Sequence, residues 1–410
     1  MLSSFKLFRH RFIRIILISN LFSQIGIWVR NFAILLYVMD KTEGNALYVS
    51  LVSVAEYAPM FIFSFIGGVF ADRWKPRKTL VWCDFLSAAS VGIVWLALLS
   101  GLWEAVLLTT LISSVLSQFS QPAGMKWFKI HVPDELAQPA MSLLQTLFAV
   151  FMVLGPVLGT GVYQTFGIQA AIGMTGISFL MSAAVLLFLP PDRPGSGQEA
   201  AASLSVIRDM KAGIRYVAGR KTLLLLSLCF LLVGLGVGLI SPLSVFVVTE
   251  KLALPASDLK WLSIPYGLGE IVGGIVTFAV ASRIAPSRLL VLGLLVNAAG
   301  MILTGLSGML WLVMLAQFVI ALLQPAIFIG NQTLVMQHTE AEYIGRVTGI
   351  RTPLMTGAML LMMGLAGVLK NMFPLEWIYG FAGLCLAAGC LAVLPLLRIH
   401  GDAGGTEEAV

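Results

Sequence analysis

Stretches of about 20 or more mainly apolar residues, each long enough to cross a bilayer as a helix, follow one another along almost the whole chain. A backbone inside hydrocarbon must satisfy every N–H and C=O within its own segment, so such stretches fold as membrane-spanning helices. Charged side chains make up only 11% of the 410 residues and apolar ones 58%, whereas a soluble domain is roughly 25% charged. Water is therefore not the main solvent of this chain. Windowed hydropathy predicts twelve spans, near residues 12–39, 46–71, 79–100, 104–125, 140–166, 167–190, 222–249, 258–283, 286–306, 309–333, 345–370 and 374–398. The first begins among Lys6, Arg9, Arg11 and Arg14, as a secretory signal would. It is too long for one and lacks a small-residue cleavage site, so it reads as a retained span.

An even number of spans puts both ends on one side. Of the 26 Lys and Arg residues, twenty fall on the N-terminal side of the predicted topology. Lys41, Lys251, Lys260 and Lys370 fall on the other, and Arg30 and Arg351 lie within spans. That asymmetry predicts cytoplasmic termini and accounts for the net charge of +6 without a nucleic-acid partner. The longest polar stretch, holding Pro191, Pro194, Gly195, Gly197 and then Arg208, Lys211, Arg215 and Arg220, divides the chain into a bundle over 1–190, a linker over 191–221 and a bundle over 222–410. The halves echo each other. Gln121-Pro122-Ala123 recurs as Gln324-Pro325-Ala326, 203 positions on, and Gly67-Gly68 recurs as Gly273-Gly274, 206 positions on. Two echoes at nearly equal offsets, in equivalent spans, point to an internal repeat. Cys83, Cys229, Cys385 and Cys390 all fall inside predicted spans, with no CxxC or His spacing, and read as packing residues rather than metal ligands.

The stretch GGVFADRWKPRKTL, Gly67 to Leu80, straddles the short loop between spans 2 and 3. It resembles the loop signature of the major facilitator superfamily: a Gly, then Asp-Arg four and five residues later, then a basic residue. Gly68, Asp72, Arg73 and Arg77 stand at those positions, with Lys75 where the family usually has a second Gly. A second region runs Gln121-Pro122-Ala123, Val132-Pro133-Asp134-Glu135-Leu136 and Leu154-Gly155-Pro156-Val157-Leu158-Gly159. It is similar to the branch of that superfamily containing macrolide-efflux and siderophore-export proteins. The resemblance implies an all-α integral membrane protein with twelve transmembrane helices in two pseudo-symmetric six-helix bundles. It also implies a cytoplasmic gate at Gly68, Asp72, Arg73 and Arg77, and transport by alternating access. Gly155, Pro156 and Gly159, with Gly161, are expected to kink span 5 and let it pack closely, because proline removes a helical hydrogen bond and glycine removes bulk.

Polar side chains are costly in lipid and are expected to face a wet cavity. At 100° per residue, Asn20, Gln24 and Asn31 share one face of span 1, with Ser23 and Arg30 on the neighbouring sector. Thr110, Ser113, Ser114, Ser117, Gln118 and Gln121 make a stripe in span 4, and Gln317, Gln324 and Asn331 recur every seven residues in span 10. Span 7 offers Ser227, Gly234, Gly238 and Ser241. The resemblance implies that spans 1, 4, 7 and 10 line the cavity. Some of these side chains could equally bond between helices. Among the acids, Glu56 and Glu270 sit inside spans 2 and 8, and Asp84 nearer one end of span 3. A carboxyl group withdrawn from water holds its proton more readily, so these three are proton-coupling candidates, and Arg30 and Arg351 are the cations that could pair with them. A static ion pair is the alternative for each.

No GxxxxGK[ST] phosphate loop is present, which counts against direct use of ATP, and no nucleophile–base constellation suggests an enzyme. His10, His131, His338 and His400 form no cluster along the sequence. The expectation is a secondary-active exporter of small amphipathic compounds, drug-like or siderophore-like, working by proton antiport. Its partners would be a small-molecule solute, protons and the lipid bilayer, with no cofactor, no metal and no nucleic acid, and the chain acting as a monomer. Competing readings are a lipid or lysophospholipid flippase of the same fold and, from another class, a non-transporting membrane sensor or scaffold. Export, as against import, rests on the resemblance alone.

Overall fold

The computed structural model describes residues 10–63, 74–190, 206–280, 283–340 and 343–399. Among them the regular structure is entirely helical. In chain order the helices are α1 (Arg11–Lys41), α2 (Ala46–Phe63), α3 (Pro76–Leu99), α4 (Ala105–His131), α5 (Asp134–Leu186), α6 (Val206–Ala218), α7 (Lys221–Ile240), α8 (Lys260–Val280), α9 (Pro286–Leu306), α10 (Leu310–Gln337), α11 (Ile344–Met372), α12 (Leu375–Val393) and α13 (Pro395–Ile399).

Helix α5 is 53 residues long and contains one non-helical residue, Gly167, at φ 76° and ψ −179°. A positive φ is open to glycine without a Cβ clash, so the chain turns there and α5 becomes two arms, 134–166 and 168–186, each long enough to span. Among the described residues, ten helices are long and apolar enough to cross a membrane, with α5 counted once. The 27-residue α4 is not among those ten, because its polar stripe lowers its hydropathy. With the second arm of α5 and with α4, the twelve spans are complete. Large apolar side chains such as Phe278, Trp377 and Ile93, 84%, 73% and 69% exposed, lie on outer faces where hydrocarbon rather than water is the solvent. The chain is a multi-pass integral membrane protein. The four cysteines are buried and free.

Two compact units divide at Ala202 and Ser203, inside the polar 191–221 stretch. In the first, α1 packs along both arms of α5, and α3 and α4 pack on each other. The seam is made by small residues. A Cβ at Gly159 would lie 2.7 Å from Phe32 Cβ and 2.8 Å from the Trp28 carbonyl oxygen, and one at Gly26 would lie 3.1 Å from Ser178 Cβ. Helical φ/ψ continue through Gly155, Pro156 and Gly159. The one break in helical φ/ψ comes at Gly167, and the expected close approach to α1 is made at Gly155 and Gly159. Gly161 faces open space and takes no part in it.

In the second unit α7 packs on α11 and α12, and α8 and α9 pack on α10. Here too glycines four residues apart make the seams, as the small-xxx-small pattern allows. Gly234 and Gly238 of α7 face the Met355 and Met359 carbonyls of α11, and Gly269 and Gly273 of α8 face those of Phe318 and Leu322 on α10. Past Ile240 the chain tightens into a 3-10 turn and then loosens into a π turn ending at Lys251. Ion pairs from Lys251 to Glu376 (2.5 Å) and from Lys370 to Glu250 (2.8 Å) fasten that irregular end to α12 and α11.

Candidate functional site

Among the described residues, three buried polar clusters interrupt the apolar interiors. The first joins α1, α2 and α4. Arg30, 4% exposed, donates from Nε and Nη2 to Asn31 Oδ1 at 3.0 and 2.8 Å. Asn31 Nδ2 donates in turn to Glu56 Oε1 at 2.8 Å. Ser114 Oγ on α4 donates to the backbone carbonyl of Glu56, one residue beyond Ala55, whose carbonyl loses its helical donor to Pro59. Guanidinium and carboxylate thus meet through an amide, not by direct contact. Sequence periodicity placed Asn20 and Gln24 on the same face as Asn31, yet both are used within α1: Asn20 Nδ2 donates to the Ile16 carbonyl, and Gln24 Oε1 accepts from Trp28 Nε1. On α4, Ser117 Oγ donates to the Ser114 carbonyl and Gln118 Nε2 to Ser117 Oγ, while Gln121 is exposed. The Ser113 hydroxyl is buried without a partner among the described residues.

The second cluster ties α1, α3 and the second arm of α5. Ser182 Oγ donates to Asp84 Oδ2 at 2.5 Å, Ser23 Oγ donates to Ser182 Oγ at 2.9 Å, and Ser19 Oγ lies 2.8 Å from Ser182 Oγ. A hydroxyl has one proton to give. Since Ser182 spends its proton on Asp84, Ser19 must be the donor to Ser182, and every hydroxyl in the chain points its proton toward the carboxylate. Neither Ser19 nor Ser182 stood out in the sequence. The available signal was spacing alone, Ser19 and Ser23 falling four residues apart on one face of α1.

The third cluster lies in the second unit, among α7, α10 and α11. Arg351, also 4% exposed, donates from Nε to Ser227 Oγ (3.1 Å), and from Nη2 to the Leu226 carbonyl (3.0 Å) and to Asn331 Oδ1 (2.5 Å). Asn331 is fully buried, whereas Gln317 and Gln324, two and one heptads before it, are half-buried. Glu270 on α8 is half-buried as well and makes no ion pair with Arg351, so the pairing of cation with glutamate expected from sequence is indirect in the first unit and absent in the second. Gly234 and Gly238 belong to the α7–α11 seam, and Ser241 opens the irregular turn beyond α7.

Of the expected gate, Gly68, Asp72 and Arg73 lie outside the described residues. Arg77, in the first turn of α3, donates from Nη2 to the Leu187 carbonyl at 2.7 Å. That oxygen is at the C-cap of α5, where the carbonyls lacking helical donors attract a cation.

The family profile described as Major Facilitator Superfamily matches residues 16–227 and 226–408. Among curated relatives, the multidrug efflux pump Tap of Mycolicibacterium fortuitum is 26% identical over 88% of this chain and 90% of its own length. Macrolide efflux protein A of Streptococcus pyogenes is 22% identical over 90% of this chain and 92% of its own. Among solved structures, a POT family transporter in complex with a thioalcohol-conjugated peptide superposes with a TM-score of 0.74 at 12% identity, covering 96% of each chain. At that identity the likeness is one of fold.

Proposed function

The chain belongs to the Major Facilitator Superfamily, and on that premise we propose that it is a secondary-active exporter of small amphipathic compounds, exchanging outgoing solute for protons by alternating access. It acts as a monomer in a bacterial cell membrane with both termini in the cytoplasm. Support for export comes from relatives named as efflux pumps that align over nearly their whole length, and from the span 4 and span 5 motifs quoted above. Support for cytoplasmic termini is the excess of Lys and Arg on one side of the spans.

The observation that carries the proton half of the proposal is the Arg30–Asn31–Glu56 relay. With Glu56 ionised, its charge balances Arg30 through the intervening amide. With Glu56 protonated, the carboxyl becomes a poorer acceptor for Asn31 and the guanidinium is left uncompensated, which loosens the tie between α1 and α2. Proton binding thereby changes the relative free energies of two arrangements of the bundle, as a coupling ion must. One charge crossing the membrane supplies about 2.3 kcal/mol per 100 mV.

The test is a reconstituted vesicle with an imposed pH gradient and three fluorescent amphiphiles, one cationic, one neutral and one anionic. At least one should move against its own gradient and stop when nigericin collapses the pH difference. Glu56→Gln should lower that movement by about tenfold or more. Undiminished pumping by Glu56→Gln overturns the relay as the coupling site, and movement of all three that ignores the pH gradient overturns antiport.

A further inference from the structure

The second unit holds a positive charge that no described residue neutralises. Arg351 has three acceptors, Ser227 Oγ, the Leu226 carbonyl and Asn331 Oδ1, and all are uncharged. It forms no ion pair with any described carboxylate. A guanidinium keeps its charge at every physiological pH, and burying an ion without a counter-charge is expensive. Nη1 donates to no described residue. The Phe230 ring lies over the guanidinium, its centroid 5.1 Å from Cζ, and Phe328 meets Phe230 edge to face with centroids 5.7 Å apart. Phe328 is 40% exposed, so aromatic surface runs from the accessible face of α10 to the guanidinium.

We infer that Arg351 is the anchor of a binding site for an aromatic anion of carboxylate type. Nη1 supplies the N–H donors for the acidic group, Ser227 and Asn331 fix the plane of the guanidinium, and Phe230 and Phe328 take the apolar ring. A charge-assisted N–H···O⁻ bond supplies the missing counter-charge and is stronger than a neutral one. The site makes its ligand a weak acid with an aromatic body. Calling that ligand the exported solute rests on the transporter reading above. The rival account is that Arg351 only bolts α7, α10 and α11 together, which its neutral partners also do.

Binding without any gradient separates the two accounts. The full-length protein in nanodiscs of neutral lipid is titrated with 1-naphthoate and with its uncharged counterpart 1-naphthamide, and saturable binding is followed by quenching of tryptophan fluorescence. Wild-type protein should hold naphthoate about tenfold or more tighter than naphthamide. Arg351→Gln should lose that preference, and Arg351→Lys, which keeps the charge, should retain most of it. Equal binding of the two probes by the wild type overturns the site, as does an undiminished preference in Arg351→Gln. The wild-type comparison needs no variant, so a misfolded Arg351→Gln leaves the question decidable. Chloride alone should not raise the melting temperature as naphthoate does; if it does so equally, the aromatic half of the site is wrong. Since no pH difference is imposed, failure here leaves the exporter proposal standing, and failure of the Glu56→Gln assay leaves this one standing.

Discussion

The two units solve the same problem with nearly the same residues and reach opposite electrostatic states. Each buries an arginine at 4% exposure, and each gives that arginine an asparagine side-chain oxygen. In the first unit the asparagine passes the interaction on to Glu56; in the second, Asn331 turns its amide to the Leu226 carbonyl and no carboxylate follows. A relay ending in a carboxylate can be switched by one proton, whereas a guanidinium among carbonyls and hydroxyls cannot be switched at any pH the protein meets. On the proposed coupling, the proton belongs to the first unit, while the second holds a fixed positive charge.

Replacing each arginine by methionine is the hardest blow to that comparison. Arg30→Met strips the buried relay of its cation and leaves Glu56 without a counter-charge, which should cost about 3–5 kcal/mol. Arg351→Met removes an ion that has no carboxylate to strand, and the acceptors it abandons are neutral. Ser227 still donates to the Leu223 carbonyl, so the cost should be lower than that of Arg30→Met by about 2 kcal/mol or more. Unfolding by SDS titration in mixed micelles measures both. Equal costs would mean that the two sites do not differ in charge balance after all.

The carboxylates outside the relay sharpen the contrast at a smaller scale. Asp84 receives the Ser182 proton, and Ser182 is backed by Ser19 and Ser23. Ser182→Ala should therefore cost about 1.5–3 kcal/mol, the range for a hydrogen bond to a charged group. Glu270 is tied to no described residue by a hydrogen bond or ion pair, and Glu270→Gln should change stability by less than about 0.5 kcal/mol. The same titration decides. A Glu270→Gln loss as large as that of Ser182→Ala would show that the second unit does hold a carboxylate in place.

How much of this was legible in the sequence follows from what each signal depends on. The spans were legible because hydropathy is a local sum, and the boundary at residues 166 and 167 coincides with the turn at Gly167. Glu56, Asp84 and Arg351 stood out because ionisable groups are rare in apolar runs. Which of the polar side chains each would pair with did not, since a rotamer on one helix is chosen by its neighbour on another. Asn20, Gln24 and Asn31 share one helical face, but only Asn31 reaches across to α2, and nothing in a 100° period distinguishes it. Ser182 was invisible for the same reason. Gly155 and Gly159 read as a close-packing site, but that Trp28 and Phe32 of α1 are what they meet is set by another helix.

Those seams carry the smallest expected difference between the units. At Gly155 an added Cβ would press on the Trp28 ring, and at Gly234 it would lie 2.5 Å from the Met355 carbonyl oxygen. A side chain can change rotamer, although moving Trp28 also gives up its bond to Gln24. A helix backbone cannot yield without pushing α7 and α11 apart. Overpacking costs about 1–3 kcal/mol, so Gly234→Ala should fall near the upper end of that range and Gly155→Ala near the lower. Gly161→Ala, which meets open space, should gain up to about 1 kcal/mol from helix propensity alone, the advantage of Ala over Gly in a helix. If Gly155→Ala proves as costly as Gly234→Ala in the SDS titration, the Trp28 ring is held as rigidly as backbone, and the α1 seam of the first unit is no softer than the α7–α11 seam of the second.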